Sequence, residues 1–195
     1  MILCPSAEAA ETVLQTLREW SAQAGLTLHP EKTKIVDMGQ PKAHFDFLGY
    51  RFWRSKTSGS IRRFIRPKSV KKIKEAIRPY TKRANGQSLE AIAQMIRPKL
   101  QGFFGQLPAH ILKKSGWRSR CTRLKHAGAG ALREVDGWIR GRLRSILRKR
   151  AGLKGRGRGR DHQRWNNHYF TQLGLFNLEA ARELEIISLR NADNY

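Results

Sequence analysis

Carboxylates are scarce in this chain: 15 Asp plus Glu stand against 39 Lys plus Arg, a formal net charge of +24 over 195 residues. Metal-dependent phosphoryl or nucleotidyl transfer needs acidic side chains close enough to hold divalent ions. The ten acids beyond residue 37 are scattered singly, with Glu134 and Asp136 on different faces of one predicted helix, so no catalytic carboxylate pair is visible. Walker loops, Gly-x-Ser-x-Gly elbows and His-Glu-x-x-His motifs are equally missing. Cys4 and Cys121 lie far apart and outside any Cys/His cluster, and the six His show no ligand spacing, which excludes a disulfide scaffold and a recognisable zinc site. No window approaches the roughly 18 consecutive apolar residues of a membrane span. Met1 to Pro5 has neither the basic start nor the apolar stretch of a signal peptide, so the expectation is a soluble intracellular protein with no membrane partner.

What is present is positive charge, unevenly placed. Residues 1 to 37 carry three basic and five acidic side chains, leaving 36 basic against ten acidic in the rest. Self-repulsion on that scale is relieved by a polyanion, and nucleic acid is the common intracellular one. A basic face kept only for solubility is disfavoured, because Asp and Glu serve solubility better than Arg. An anionic membrane surface would need a basic face joined to a strongly apolar one at the chain start.

Along the chain, Met1 to Cys4 reads as a buried strand, and Ser6 caps a helix over 7 to 24 whose apolar face is Ala10, Val13, Leu14, Leu17 and Ala24. Leu26 to Leu28 and Lys34 to Met38 suggest short extended segments around a turn. Phe45 to Trp53 is aromatic and alternating, and its change of side beside Gly49 hints at a bulge or close backbone approach. Ile61 to Arg66 reads as the returning strand. Ser69 can cap a helix with Val70, Ile73, Ile77 and Tyr80 on its apolar stripe, ended or kinked by Pro79; Lys71, Lys72, Lys74 and Arg78 face away. Ser88 caps another, with Leu89, Ile92 and Ile96 aligned, interrupted by Pro98 before Leu100 to Leu107. Residues 108 to 130 show no sustained period. Leu132, Val135, Ile139, Leu143, Ile146 and Leu147 mark the clearest helix, whose other faces carry Arg140, Arg142, Arg144, Arg148, Lys149 and Arg150; Arg142 and Arg144 are expected to point outward and to be dispensable for folding. The Gly and Lys/Arg alternation of Gly152 to Arg160, with Arg156 and Arg158, reads as a loop that stays mobile until it meets a phosphate backbone. Trp165 to Phe176 forms an aromatic segment that docks the tail. The fold class is thus α+β: mostly helical, with a small antiparallel strand region on the N-terminal side followed by a basic helical region.

Gly25-Leu-Thr-Leu-His-Pro-Glu-Lys-Thr-Lys34 followed by Phe45-Asp-Phe-Leu-Gly-Tyr-Arg-Phe52 resembles the last two blocks of the reverse-transcriptase palm in group II intron-encoded proteins. Asp136-Gly-Trp-Ile-Arg140 matches the Asp-x-Trp-Ile-Arg of their maturase domain, and Trp165 to Phe170 with Leu173 to Phe176 resembles its closing stretch. The resemblance implies palm over 1–66, thumb helices over 67–108 and a maturase (domain X-like) region over 109–195. In that family the strand equivalent to Met1–Cys4 follows a Tyr-Ala-Asp-Asp turn whose aspartates bind the catalytic metals. The resemblance therefore implies a C-terminal part without polymerase activity of its own, with no cofactor in this chain and Mg²⁺ expected only for a full-length polymerase. It also implies that Phe47, Leu48, Gly49 and Tyr50 correspond to a primer grip. RNA contacts are expected from Lys71, Lys72, Lys74, Arg78, Arg140, Arg142, Arg144, Arg148, Arg156 and Arg158. The partner would be RNA, group II intron RNA in the first instance, or an RNA/DNA duplex, in a bacterial-type cytoplasm as a nucleoid or ribonucleoprotein component. The alternatives are the second half of a split RNA-directed DNA polymerase needing an upstream palm and fingers polypeptide, an inactive gene remnant, and a general basic RNA-binding protein.

Overall fold

The computed structural model describes residues 1–47, 49–57, 59, 61–105 and 128–193, apart from the side chains of 189, 190, 192 and 193. The expected helical link at Leu107 and the aperiodic stretch 108–127 lie outside the described residues. The chain is α+β and mostly helical, with a small three-stranded antiparallel sheet. It divides into two compact units, residues 1–47 with 51–62 and residues 48–50 with 63–195.

The first unit begins with α1, Ala7–Gln23, capped by the Ser6 side chain, which accepts from the Ala9 N–H at 3.2 Å. Its apolar stripe is only half-buried, and Ser21 is its one buried residue. Met1 to Cys4 forms no strand; Met1, Ile2 and Leu3 are 56–61% exposed, since no strand lies alongside among the described residues to pair their backbone groups. Residues 26–28 and 34–38 are likewise extended or turn backbone without a ladder. Strand β1, His44–Phe47, and β2, Tyr50–Arg54, are neighbours in the sheet, followed by β3, Ile61–Ile65, in the order β1-β2-β3. Phe45 stacks on Phe52 with ring centroids 4.9 Å apart, and Asp46 pairs with Arg51 at 2.9 Å, the register of a two-residue turn. The change of side near Gly49 is therefore a chain reversal and not a bulge: two strands with opposite directions were merged into one alternating run.

The second unit holds the main core. Helix α2, Pro67–Ile77, starts with Pro at its first position and Arg66 as N-cap; Ser69, expected as the cap, donates instead to the Gly49 carbonyl at 3.4 Å. Helix α3, Leu89–Gly105, is capped by Ser88 as expected but runs unbroken through Pro98. The hydrogen bond that Pro98 cannot donate is the one to Gln94, and both residues are exposed, so the break in the ladder falls on the solvent side, where water can serve the freed carbonyl. Helix α4, Ala129–Arg150, buries Leu132, Val135, Ile139, Leu143 and Ile146, as its periodicity predicts. Two short helices follow, α5, Arg160–Arg164, and α6, Asn167–Gln172, and then α7, Leu178–Asp193. Helix α4 packs on α7, and α2 packs on both α3 and α4. Ile77, Ile92, Ile96, Leu100, Ile146 and Leu178 are fully buried, each contributing roughly 1.5–3 kcal/mol.

Asp136 is buried at 3% exposure, and its two carboxylate oxygens accept the backbone N–H groups of Leu178 and Glu179 at 3.2 and 3.1 Å. A side chain of α4 thus satisfies two orphan donors at the start of α7. Burial pushes the Asp136 carboxyl above the usual carboxylate range, against the opposing pull of those two N–H groups and of Arg140. A raised folded value means that the group's stabilising contribution is full below the unfolded value near 3.9 and is lost as pH rises through the folded one. At neutral pH, where that proton-linked part is already gone, D136A should still lower the unfolding free energy by about 2 kcal/mol, through loss of the cap and two buried donors left unpaired. The gap between wild type and variant in urea titrations should widen towards pH 4.

Candidate nucleic-acid interface

The arginines of α4 sit on a helix that faces neighbours on several sides, and this decides their roles. Arg142 lies above the α2–α3 turn: its Nε donates to the Thr81 hydroxyl at 2.6 Å and its Nη2 to the Thr81 carbonyl at 2.8 Å and the Arg78 carbonyl at 3.4 Å. Its guanidinium also covers Trp138, 5.1 Å from the ring centroid. Arg144 is buried at 5% exposure; it donates to the Trp165 carbonyl at 2.9 Å and the Asn167 side chain at 3.3 Å, and lies 5.1 Å over the Phe170 ring. The expectation that Arg142 and Arg144 point outward is corrected here: both turn to carbonyls of neighbouring elements. A stripe of five buried apolar residues is narrower than the face that α4 buries, so the flanking positions are covered too, and an arginine serves there by carrying its charge to a carbonyl.

Arg148 is used similarly, bonding the Lys154 carbonyl at 2.7 Å and Asp161 at 2.5 Å. Asp161 is itself buried and held below the usual carboxylate range, chiefly by the Arg158 backbone N–H and further by Arg148. Gly157 runs so close to α4 that a Cβ there would lie 3.0 Å from the Arg144 Cβ. The segment 152–160 thus meets α4 at Gly152, Leu153, Lys154 and Gly157. Lys74 is engaged by Glu134 and lies 5.9 Å over Trp138.

The remaining expected contact residues differ. Lys72, Arg78, Arg156 and Arg158 are exposed, and Lys71 is exposed with only a 3.9 Å approach to Glu75. Arg140 is half-buried. Of the primer-grip-like residues, Tyr50 is buried beneath the Arg63 guanidinium, 4.9 Å from its ring centroid, and burial pushes its hydroxyl up. The Gly49 carbonyl accepts from the Arg66 N–H at 2.9 Å, Phe47 is half-buried, and Leu48 lies outside the described residues. Gly49 and Tyr50 thus make their contacts with Arg66 and Arg63 inside the second unit.

Outside the expected contact residues, Arg83, Lys149 and Lys154 line a shallow groove of about 370 Å³ between the α2–α3 and α4–α5 turns. Lys149 and Lys154 were visible as part of the acid-free run Arg140–Arg160, whereas Arg83 had no signal beyond its charge. Among the described residues no group of three or more His, Cys, Asp or Glu could hold a metal ion, and no helix is long and apolar enough to cross a membrane. No protein-family model matches the chain, and no curated protein matches it.

Two substitutions separate the structural arginines from the exposed cations. R144A should destabilise the chain by about 3 kcal/mol, leaving the Trp165 carbonyl without its donor and the Phe170 ring uncovered. K72Q should change stability by no more than about 0.5 kcal/mol. Chemical denaturation of the two variants checks both.

Proposed function

We propose that this chain binds structured RNA through the exposed cations of its second unit, as the C-terminal part of a group II intron reverse transcriptase and maturase would. The observation that carries the reading is an unbalanced surface: Lys72, Arg78, Lys82, Lys149, Lys154, Arg156 and Arg158 are all exposed and face no ion-pairing carboxylate among the described residues. The motif resemblance supplies the class of RNA. Such a protein performs no bond chemistry on the intron; it binds the active fold of a self-splicing RNA more tightly than the alternatives and so shifts the population towards it. Helical surfaces carrying separated cations suit the phosphates and shape of A-form RNA better than base edges, which its deep, narrow major groove hides.

A second reading is favoured by the first unit. Met1, Ile2, Leu3, Trp20, Leu26 and Ile35 are large, apolar and 43–61% exposed, a surface that a palm and fingers polypeptide of a split polymerase would cover. Co-expression with the polypeptide encoded upstream, followed by size-exclusion chromatography, tests that reading; separate elution would remove it.

For the RNA reading, filter binding to a folded group II intron RNA should show affinity falling by roughly 10³ to 10⁵ between 50 and 200 mM salt, as expected for about 6 to 10 phosphate contacts. Added protein should lower the Mg²⁺ concentration at which that intron splices. A flat salt response would remove RNA binding, and binding without any effect on splicing would leave a general RNA-binding protein.

A further inference from the structure

The groove lined by Arg83, Ala84, Lys149, Gly152, Leu153 and Lys154 has three cations and no acid on its walls. Its floor is built by the end of α4. Gly152, with φ +71°, follows the C-cap Ala151; its N–H donates to the Lys149 carbonyl at 3.0 Å, and the Leu153 N–H donates to the Arg148 carbonyl at 2.9 Å. This paired pattern fixes the exit of the helix, and the left-handed residue in it favours glycine. Arginines then claim the next two carbonyls: Arg83 Nη2 donates to Leu153 at 3.0 Å and Arg148 Nε to Lys154 at 2.7 Å. On the opposite side, Arg150 donates to the Asn85 carbonyl at 3.3 Å and to the Gln87 carbonyl, pinning the α2–α3 turn to the same helix end.

The Lys149, Leu153 and Lys154 carbonyls at the groove are therefore occupied, while its lysine ammonium groups are not. Lys149 and Lys154 are exposed and have no side-chain partner among the described residues, and Arg83 spends a single N–H on Leu153. The C-terminal end of a helix opposes an anion with roughly half a negative charge. Three full positive charges, with the Leu147, Arg148 and Lys149 carbonyls already hydrogen-bonded, outweigh it. Ala84 and Leu153 make the rest of the lining apolar, which suits a sugar edge better than a second charged group.

We infer that this groove seats a phosphodiester of a nucleic-acid backbone, held by Lys149, Lys154 and the free edge of Arg83. The inference rests on the RNA reading above and assigns that surface a fixed docking point at the end of α4, in place of the arginine face that the sequence suggested.

The test uses the full chain and a labelled RNA hairpin. K149Q/K154Q should weaken binding at about 0.1 M salt by about ten- to sixtyfold and reduce the slope of log affinity against log salt by about two. The charge-matched K32Q/K34Q, in the first unit, should leave both unchanged. If K149Q disturbs the last turn of α4, K154Q alone, at a loop residue whose side chain has no partner among the described residues, should reduce the slope by about one. A phosphorylated small molecule would present the same chemistry, so adenosine monophosphate at about 1 mM is the second arm. No shift in melting temperature is expected, and a shift lost in K149Q/K154Q would reassign the groove and overturn the backbone inference. Wild-type protein that binds the hairpin no better than the double variant, with equal slopes, would overturn the groove alone. Wild-type protein that fails to bind RNA would overturn the RNA reading along with it.

Discussion

The second unit depends on guanidinium groups bonded to backbone carbonyls. Arg142 on Thr81, Arg144 on Trp165, Arg148 on Lys154 and Arg150 on Asn85 and Gln87 join α4 to both the turn before α3 and the segment after α4. In a chain with 15 acids for 39 bases, carboxylates cannot brace every junction. Carbonyl oxygens are abundant, and a charged donor makes the stronger kind of hydrogen bond with them. The carbonyl satisfies the N–H geometry but leaves the charge uncancelled. The braces therefore maintain the same positive field that the exposed lysines and arginines supply outside.

Where carboxylates do occur in this unit's interior, they accept from N–H groups that would otherwise lack a partner. Asp136 completes the first turn of α7, and Asp161 gathers Arg148 and the Arg158 N–H. Their environments push them in opposite directions: burial raises Asp136, while direct hydrogen bonds hold Asp161 down. The two acids most involved in fixing the tail and the 152–160 segment thus respond oppositely as pH falls.

Apolar periodicity made most of the helical core legible. The stripe Leu132, Val135, Ile139, Leu143 and Ile146 is buried as spaced, and Ser6 and Ser88 cap where expected. Three features escaped for identifiable reasons. The hairpin at Gly49 places apolar residues on both arms, so one pattern conceals two strands. Pro98 reads as a breaker unless its solvent-facing position is known. Helix α7 went unread although Asn177 supplies its cap, accepting from the Ala180 N–H at 3.0 Å, because its half-exposed apolar residues give a weak stripe. The candidate site was legible in composition but not in assignment. Charge shows in sequence, whereas whether an arginine faces solvent or a carbonyl depends on elements that are 21 to 65 residues away.

Those separations carry an entropic consequence. The braces from Arg142 and Arg150 close chain loops of 61 to 65 residues around α3 and the stretch that follows it. Closure entropy grows only logarithmically with loop length, so doubling such a loop costs only about 0.6 kcal/mol. The long-range braces therefore cost little more to close than short-range ones would, so a single helix end can hold both the α2–α3 turn and its own downstream segment.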